Sequence, residues 1–275
     1  MTAVITLTTD FGLADAYVAA MKGVILGINL DARLVDISHT IKPQSIAQAA
    51  FVLRTAYKFF PRRTIHLIVV DPGVGIERKA VILRTPEVDF VAPDNGVLSY
   101  IIDEYAGGNA VAGRQPLDTA RAQAIEITNR RYWLSDVSAT FHGRDIFAPV
   151  AAHLSLGTPL AEFGDAIPSL AVLPALKPRL EPDGTLTGCV LHIDNFGNLI
   201  TNIRKPDLPP DTTGITVEVK SRLINGLAKT YAESDGLCAL IGSGGHLEVA
   251  LKNGNAAAYI NAEVDDQVKI RSNEE

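Results

Sequence analysis

A chain of 275 residues, 47% hydrophobic and 20% charged, is long enough for one large core or two ordinary domains and reads as soluble and globular. Its formal net charge of −6, with no stretch that gathers Lys and Arg on one face, excludes the basic footprint of a nucleic-acid binder. No uncharged run is long enough to span a bilayer, and the opening MTAVITLTTD has no basic segment before an apolar one, which argues against a secretory signal.

In chain order, residues 4–9 (VITLTT) predict a strand. An apolar stripe over 16–30, through Tyr17, Met21, Val24, Ile25 and Ile28, predicts a helix. RLVDIS at 33–38 is a second strand, and 45–60 a second helix that stops at Pro61. TIHLIVVD gives a third strand. Strand and helix alternating at this spacing imply right-handed crossovers and a largely parallel, Rossmann-like sheet covered on both faces. AVILRT and FVAPDNG follow without a helix between them, so the sheet acquires a hairpin. A helix is expected over 143–157, with Pro149 either bending it or marking its first turn.

Beyond it the composition changes. Prolines at 159, 168, 174, 178 and 182 and the loss of helical period make 158–184 an expected extended linker. After it come short strands: LTGCVLHID, GITVEV, LCALIG, HLEVAL and DQVKIR. These indicate a smaller all-β barrel or sandwich. The expected division is therefore an α/β domain at 1–157, a linker at 158–184 and a β domain at 185–275. Cys189 and Cys238, the only thiols, suit core positions in a reducing, cytoplasmic compartment.

Several stretches place polar groups where an open parallel sheet binds ligands, beyond the carboxyl ends of its strands. TTDFGLAD ends the first strand; Asp10 and Asp15 there either accept hydrogen bonds from a ribose diol or cap the following helix. Its DFG letters lack the glycine loop, VAIK lysine and HRD segment of a protein kinase. DPGVGIER ends the third strand. Its proline and glycines turn the chain sharply, leaving Asp71 facing the cleft and Arg78 able to return to it; otherwise the two form a surface ion pair.

TFHGRDIF sets Phe141, His142 and Gly143 before a helix, whose free N–H groups suit an anion or a polarised water oxygen. The remaining histidines, 39, 66, 153, 192 and 246, are expected to be packing or surface residues. HIDNFGNLITNI puts Asp194, Phe196 and Asn198 inside a strand pattern, either as ligand groups or as a tight turn. The glycine-rich segment after Ile241 adds Ser243, Glu248 and Asn255. HExxH, CxxC and GxSxG are absent, so neither a metal site nor a serine nucleophile is expected.

Taken together and in order, TTDFGLAD, VVDPGVGIER, APDNG, TFHGRD and IDNFGNLITN followed by GNAA resemble the family of S-adenosylmethionine hydroxide adenosyltransferases, relatives of fluorinating and chlorinating enzymes that use the same substrate. The resemblance covers almost the whole chain. It implies an N-terminal α/β domain, a C-terminal β domain and a homotrimer with substrate between neighbouring subunits, without a cofactor. It also implies a catalytic set of Asp71, Arg78 and His142. Asp10 is then expected at the ribose hydroxyls, Phe196 and Asn198 at the adenine, Asp194 and Ser243 at the methionine end, and Asn255 and Ala256 close to the base. Where the fluorinating relatives carry tyrosine and serine, this chain has His142 and Gly143, and it has Asp71 in place of an aromatic residue. Their long insertion is missing too. Both departures favour water over halide as nucleophile. Chloride transfer and non-catalytic adenosine or S-adenosylmethionine binding remain as alternatives, and either Asp71 or His142 can be the base.

Overall fold

The computed structural model describes residues 3–106, 110–174, 177–210, 212 and 214–272. Its backbone contacts divide the chain into two compact units, Met1–Pro174 and Ala175–Glu275.

The first unit is α/β. In chain order it runs β1 (Val4–Thr9), α1 (Tyr17–Ile28), β2 (Arg33–Ser38), α2 (Ile46–Ala56), β3 (Ile65–Val69), β4 (Ala80–Arg84), β5 (Asp89–Pro93), α3 (Ser99–Tyr105), β6 (Gly113–Pro116), β7 (Gln123–Glu126), α4 (Ala148–Ser155), β8 (Ala166–Ile167) and β9 (Ser169–Val172). Seven strands form one sheet in the order β2-β1-β3-β5-β4-β7-β8, and β6 pairs with β9 apart from it. The pairings among β2, β1, β3 and β5 are parallel; β4 runs antiparallel to β5, which is the expected hairpin.

Alternation along the strands explains the two covered faces. Ile5, Leu7, Leu67, Val69, Ile82 and Val91 point to one face and pack with Met21 and Ile25 of α1 and Val150 and Ala151 of α4. Each large side chain buried in this way stabilises the fold by roughly 1.5–3 kcal/mol. On the same strand β3, His66 belongs to another layer, stacked on Phe90 with ring centroids 5.2 Å apart and edge-on to Tyr57 and Phe60.

Pro149 lies in the first turn of α4, the position where its missing N–H costs nothing. A single wide turn, the π-helical segment Gly143–Phe147, leads into it. The segment expected as linker is paired structure over part of its length: β8 joins the edge of the large sheet and β9 pairs with β6. Residues 175 and 176 of that stretch lie outside the described residues. Proline interrupts the pattern because Pro168 sits between two strands too short to show a period.

The second unit is an all-β barrel-like sheet. Its elements are β10 (Arg179–Leu180), β11 (Leu186–Ile193), β12 (Leu199–Arg204), β13 (Ile215–Val219), β14 (Arg222–Asn225), β15 (Leu237–Ile241), β16 (His246–Leu251), α5 (Ala256–Ile260) and β17 (Gln267–Ser272). The strand order is β14-β13-β17-β11-β12-β16-β15, with β10 on β11, and the two edge strands β14 and β15 come into contact. Val190, Leu199, Ile203, Val217, Leu247, Val249 and Val268 fill its interior.

His66 generates a stability prediction. Fully buried, with Nδ1 2.8 Å from Thr6 Oγ1, it is pushed by burial from 6.5 down to about 4. The unfolded chain takes up a proton at a higher pH than the folded one does. Stability that depends on the neutral ring is therefore complete above the ordinary histidine value and drains away as pH falls towards about 4. The full difference is on the order of 3 kcal/mol. Urea titrations of His66→Phe should show a clearly flatter fall in unfolding free energy across this window than the parent protein; equal slopes would refute the assignment.

Candidate active site

The strand order 2-1-3 makes the gap between the carboxyl ends of β1 and β3 the switch point of the sheet, since the chain leaves β1 towards β2 on one side and leaves β3 towards β4 and β5 on the other. Thr9 and Val69 are register partners there. Asp10 directly follows the first and Asp71 the second after one further residue, so both carboxylates lie at this crevice.

The chain after β3 turns twice, Val74 N–H donating to Asp71 O (3.2 Å) and Ile76 N–H to Gly73 O (3.2 Å). Gly75 has φ +79°, and a Cβ on it would stand 2.7 Å from Ala139 O, so only glycine lets this loop close against the segment that carries His142. Arg78 then returns to Asp71. Its Nε donates to Oδ1 (3.0 Å) and Oδ2 (2.8 Å), and Nη2 lies 2.5 Å from Oδ2. The side chains are 10% and 5% exposed, so this is a buried ion pair and not the surface bridge that the sequence left open.

Arg78 Nη2 also lies 2.9 Å from His142 Nδ1. A guanidinium has only donors, so Nδ1 must accept, and the ring proton sits on Nε2. Burial, and next the Arg78 charge, push His142 below the ordinary histidine value, although Asp71, Asp145 and a hydrogen bond to the Ser138 backbone partly oppose them. The imidazole is therefore neutral near pH 7. Arg78 completes its environment by lying over the Phe147 ring, 5.1 Å from the centroid.

The segment around His142 is held from below by a residue that sequence reasoning passed over. Asp145, completely buried, accepts from Ser138 N–H (2.9 Å), Ser138 Oγ (2.7 Å) and Arg144 Nε (2.6 Å). Burial raises this carboxyl, but these hydrogen bonds more than offset it and leave it below its usual value. Asp145 lies inside the TFHGRD motif, so the signal was present; what was missing was its partner Ser138. A Cβ on Gly143 would stand 3.2 Å from Val69 Cγ1 and 3.3 Å from the Phe141 ring, a tight fit that a larger residue could enter only if these side chains gave way.

Asp10 Oδ2 accepts from Gln44 N–H (2.7 Å). The first residue before α1, Ala16, makes no side-chain capping bond, so neither Asp10 nor Asp15 caps that helix; Asp15 is simply exposed. Phe11, Tyr17 and Phe141 form an aromatic cluster beside Asp10, with centroids 5.1–5.6 Å apart.

In the second unit, Asp194 to Asn198 form a closed turn. Asp194 Oδ1 accepts from the N–H groups of Phe196 and Asn198 (2.9 Å each) and Oδ2 from Asn198 Nδ2 (2.9 Å). Phe196 projects from it, 75% exposed. Gly197, at φ +84°, leaves no space for a Cβ, which would lie 2.1 Å from the Asn255 side chain. Asn255 in turn caps α5 by accepting from Ala258 N–H (2.7 Å), and Gly197 O accepts from Ala257 N–H (2.9 Å). Phe196, Asn198, Asn255 and Ala256 are thus drawn together.

Ser243 is exposed in the turn between β15 and β16. Buried Glu248 accepts from Tyr231 OH (2.9 Å). Burial raises its carboxyl, the Tyr231 bond lowers it and the Asp194 charge raises it again, with a raised value as the result. Tyr231, which the sequence did not single out, is itself pushed up to about 12, by burial first and then by Glu248. Asp194 and Glu248 are thus close enough to repel each other, with the Tyr231 hydroxyl donating to one of them. Among the described residues no group of three or more His, Cys, Asp and Glu could hold a metal ion.

Comparison with known proteins gives the family. The model of the SAM hydroxide adenosyltransferase N-terminal domain matches residues 5–164, and that of the C-terminal domain residues 188–269. The chain belongs to the SAM hydroxide adenosyltransferase family. Among its relatives, the (R)-S-adenosyl-L-methionine hydrolase of Salinispora tropica is 39% identical over 97% of both chains. A fluorinase of an Actinoplanes species is more distant, 27% identical over 80% of this chain and 78% of its own. The crystal structure of an uncharacterized conserved protein from Thermotoga maritima superposes with a TM-score of 0.82, at 37% identity, over 98% of this chain and 99% of that one.

Arg78→Ala would leave Asp71 as a buried charge with its main partner removed. Chemical denaturation should show a loss of about 3–5 kcal/mol, and a stability equal to that of the parent would contradict the hub described here.

Proposed function

We propose that the protein hydrolyses S-adenosyl-L-methionine to adenosine and L-methionine, water or hydroxide attacking the 5′ carbon of the ribose. The observation that carries this reading is the Asp71–Arg78–His142 chain at the switch point, in a member of this family. The sulfonium is already a good leaving group, so the protein need not supply an acid; its task is to align and activate one water. With Nδ1 occupied by Arg78, His142 presents Nε2–H and holds the incoming oxygen as a donor. Asp71, held in place by Arg78, accepts the proton of that water. As the C5′–O bond forms, the C5′–S bond breaks and its electron pair stays on sulfur, giving neutral methionine.

Asp10 receives the ribose hydroxyls and the aromatic cluster covers the sugar. Phe196, Asn198, Asn255 and Ala256 take the adenine, while Asp194 and Ser243, with Glu248 behind them, take the methionine end, where carboxylates suit an ammonium. The assembly is a homotrimer with substrate between neighbouring subunits, and the compartment is the cytoplasm. No described helix is long and apolar enough to cross a membrane.

Asp71→Asn and His142→Ala should each lower adenosine release by roughly 100- to 10,000-fold, the range for loss of a proton-transfer or water-holding group. Full turnover in either, followed by chromatography, counts against the assignment. Reaction in 18O-labelled water should place the label in adenosine and leave methionine unlabelled. Because Nδ1 must stay unprotonated to accept from Arg78, turnover should hold at neutral pH and fall on acidification past the depressed His142 value. A profile that rises towards acid would contradict the neutral imidazole.

A further inference from the structure

The segment that carries Asp71 and Arg78 spans an unusual gap. β3 and β4 are not neighbours; both pair with β5, which lies between them. The loop from Val70 to Lys79 therefore passes over the carboxyl end of β5, and the residues that β5 delivers there are Asp94 and Asn95. These two residues grip both ends of the loop. Asn95 Nδ2 donates to Val70 O (2.9 Å), on the residue before Asp71, and Asp94 N–H donates to Lys79 O (2.8 Å), on the residue after Arg78.

The grip is itself anchored. The Asp94 side chain, 2% exposed, accepts from Ala171 N–H (2.7 Å) and pairs with Arg114 Nη1 (2.9 Å). Asn95 Oδ1 accepts from Val97 N–H (3.2 Å), which fixes its amide with the NH2 group towards the loop. Val70 is fully buried, so its carbonyl gains no easy substitute from solvent.

We propose that Asn95 is a positioning residue for the reaction, setting the separation of the loop ends so that Arg78 meets both Asp71 and His142. This rests on the hydrolase reading above. It assigns a role to the APDNG motif, which carries no other part in the mechanism.

The test compares Asn95→Ala and Asn95→Asp with the parent protein. Displacing a reacting group by about 1 Å can cost on the order of 100-fold in rate. Asn95→Ala should accordingly lose about 10- to 100-fold in kcat, with KM for S-adenosylmethionine changed less than about threefold. Asn95→Asp keeps the shape and the Val97 bond but turns a carboxylate oxygen towards Val70 O. Its activity relative to the parent should rise as pH falls, because only the protonated acid can donate there. Hydrogen exchange of peptides covering residues 70–79 should quicken in Asn95→Ala, while the rest of the first unit keeps its protection.

A folded Asn95→Ala with parental kcat, a loss confined to KM, or unchanged exchange over 70–79 would overturn the proposal. The exchange measurement decides it even if the parent protein released no adenosine, an outcome that would instead refute the hydrolase reading.

Discussion

The site turns on a guanidinium with two neighbours of opposite kind. Arg78 holds a carboxylate through two of its nitrogens and an imidazole nitrogen through one of the same pair. Because a guanidinium cannot accept a proton, it dictates which histidine nitrogen carries one. A lysine would supply the charge without the planar fork, and so could not set both geometries together. An ion pair with such low exposure also needs its partners intact to be tolerable at all.

The two units present different electrostatics. The first gathers a compensated set around one cation, with aromatic rings beside it. The second offers acceptors, Asp194 and Glu248, whose mutual repulsion is relieved by raising one carboxyl and by the Tyr231 hydroxyl. A cationic group beside this pair would relieve that repulsion further, which fits the ammonium proposed for the methionine end. That ammonium passes unchanged into the product, whereas the charge that the reaction removes is on the sulfonium.

Much of the first sheet was legible because its strands are continuous β-branched and leucine runs, whereas the Asp71, Arg78 and His142 set came from the resemblance to the family, since the residues alone left Asp71 and Arg78 open as a surface ion pair. What escaped has a shared physical cause. β6, β8 and β9 are four residues or fewer and exist only because a distant partner pairs with them, so no local period announces them. Tyr231 and Ser138 matter through partners that folding supplies. Asn95 was visible in APDNG, yet an amide has no charge or titration to draw attention, and its value lies wholly in where two strands place it. Where the sequence left a ligand group against a tight turn for Asp194 and Asn198, the turn is what their hydrogen bonds build, and an exposed Phe196 is what the turn presents.

The reversed direction of β4 has one more consequence. Because β4 runs antiparallel to β5 while β3 runs parallel to it, the chain leaves and re-enters the sheet at the same edge, through the short loop from Val70 to Lys79. The acid and its counter-ion stand near the two ends of that one connection, so any insertion between them would loosen the pair without touching either strand.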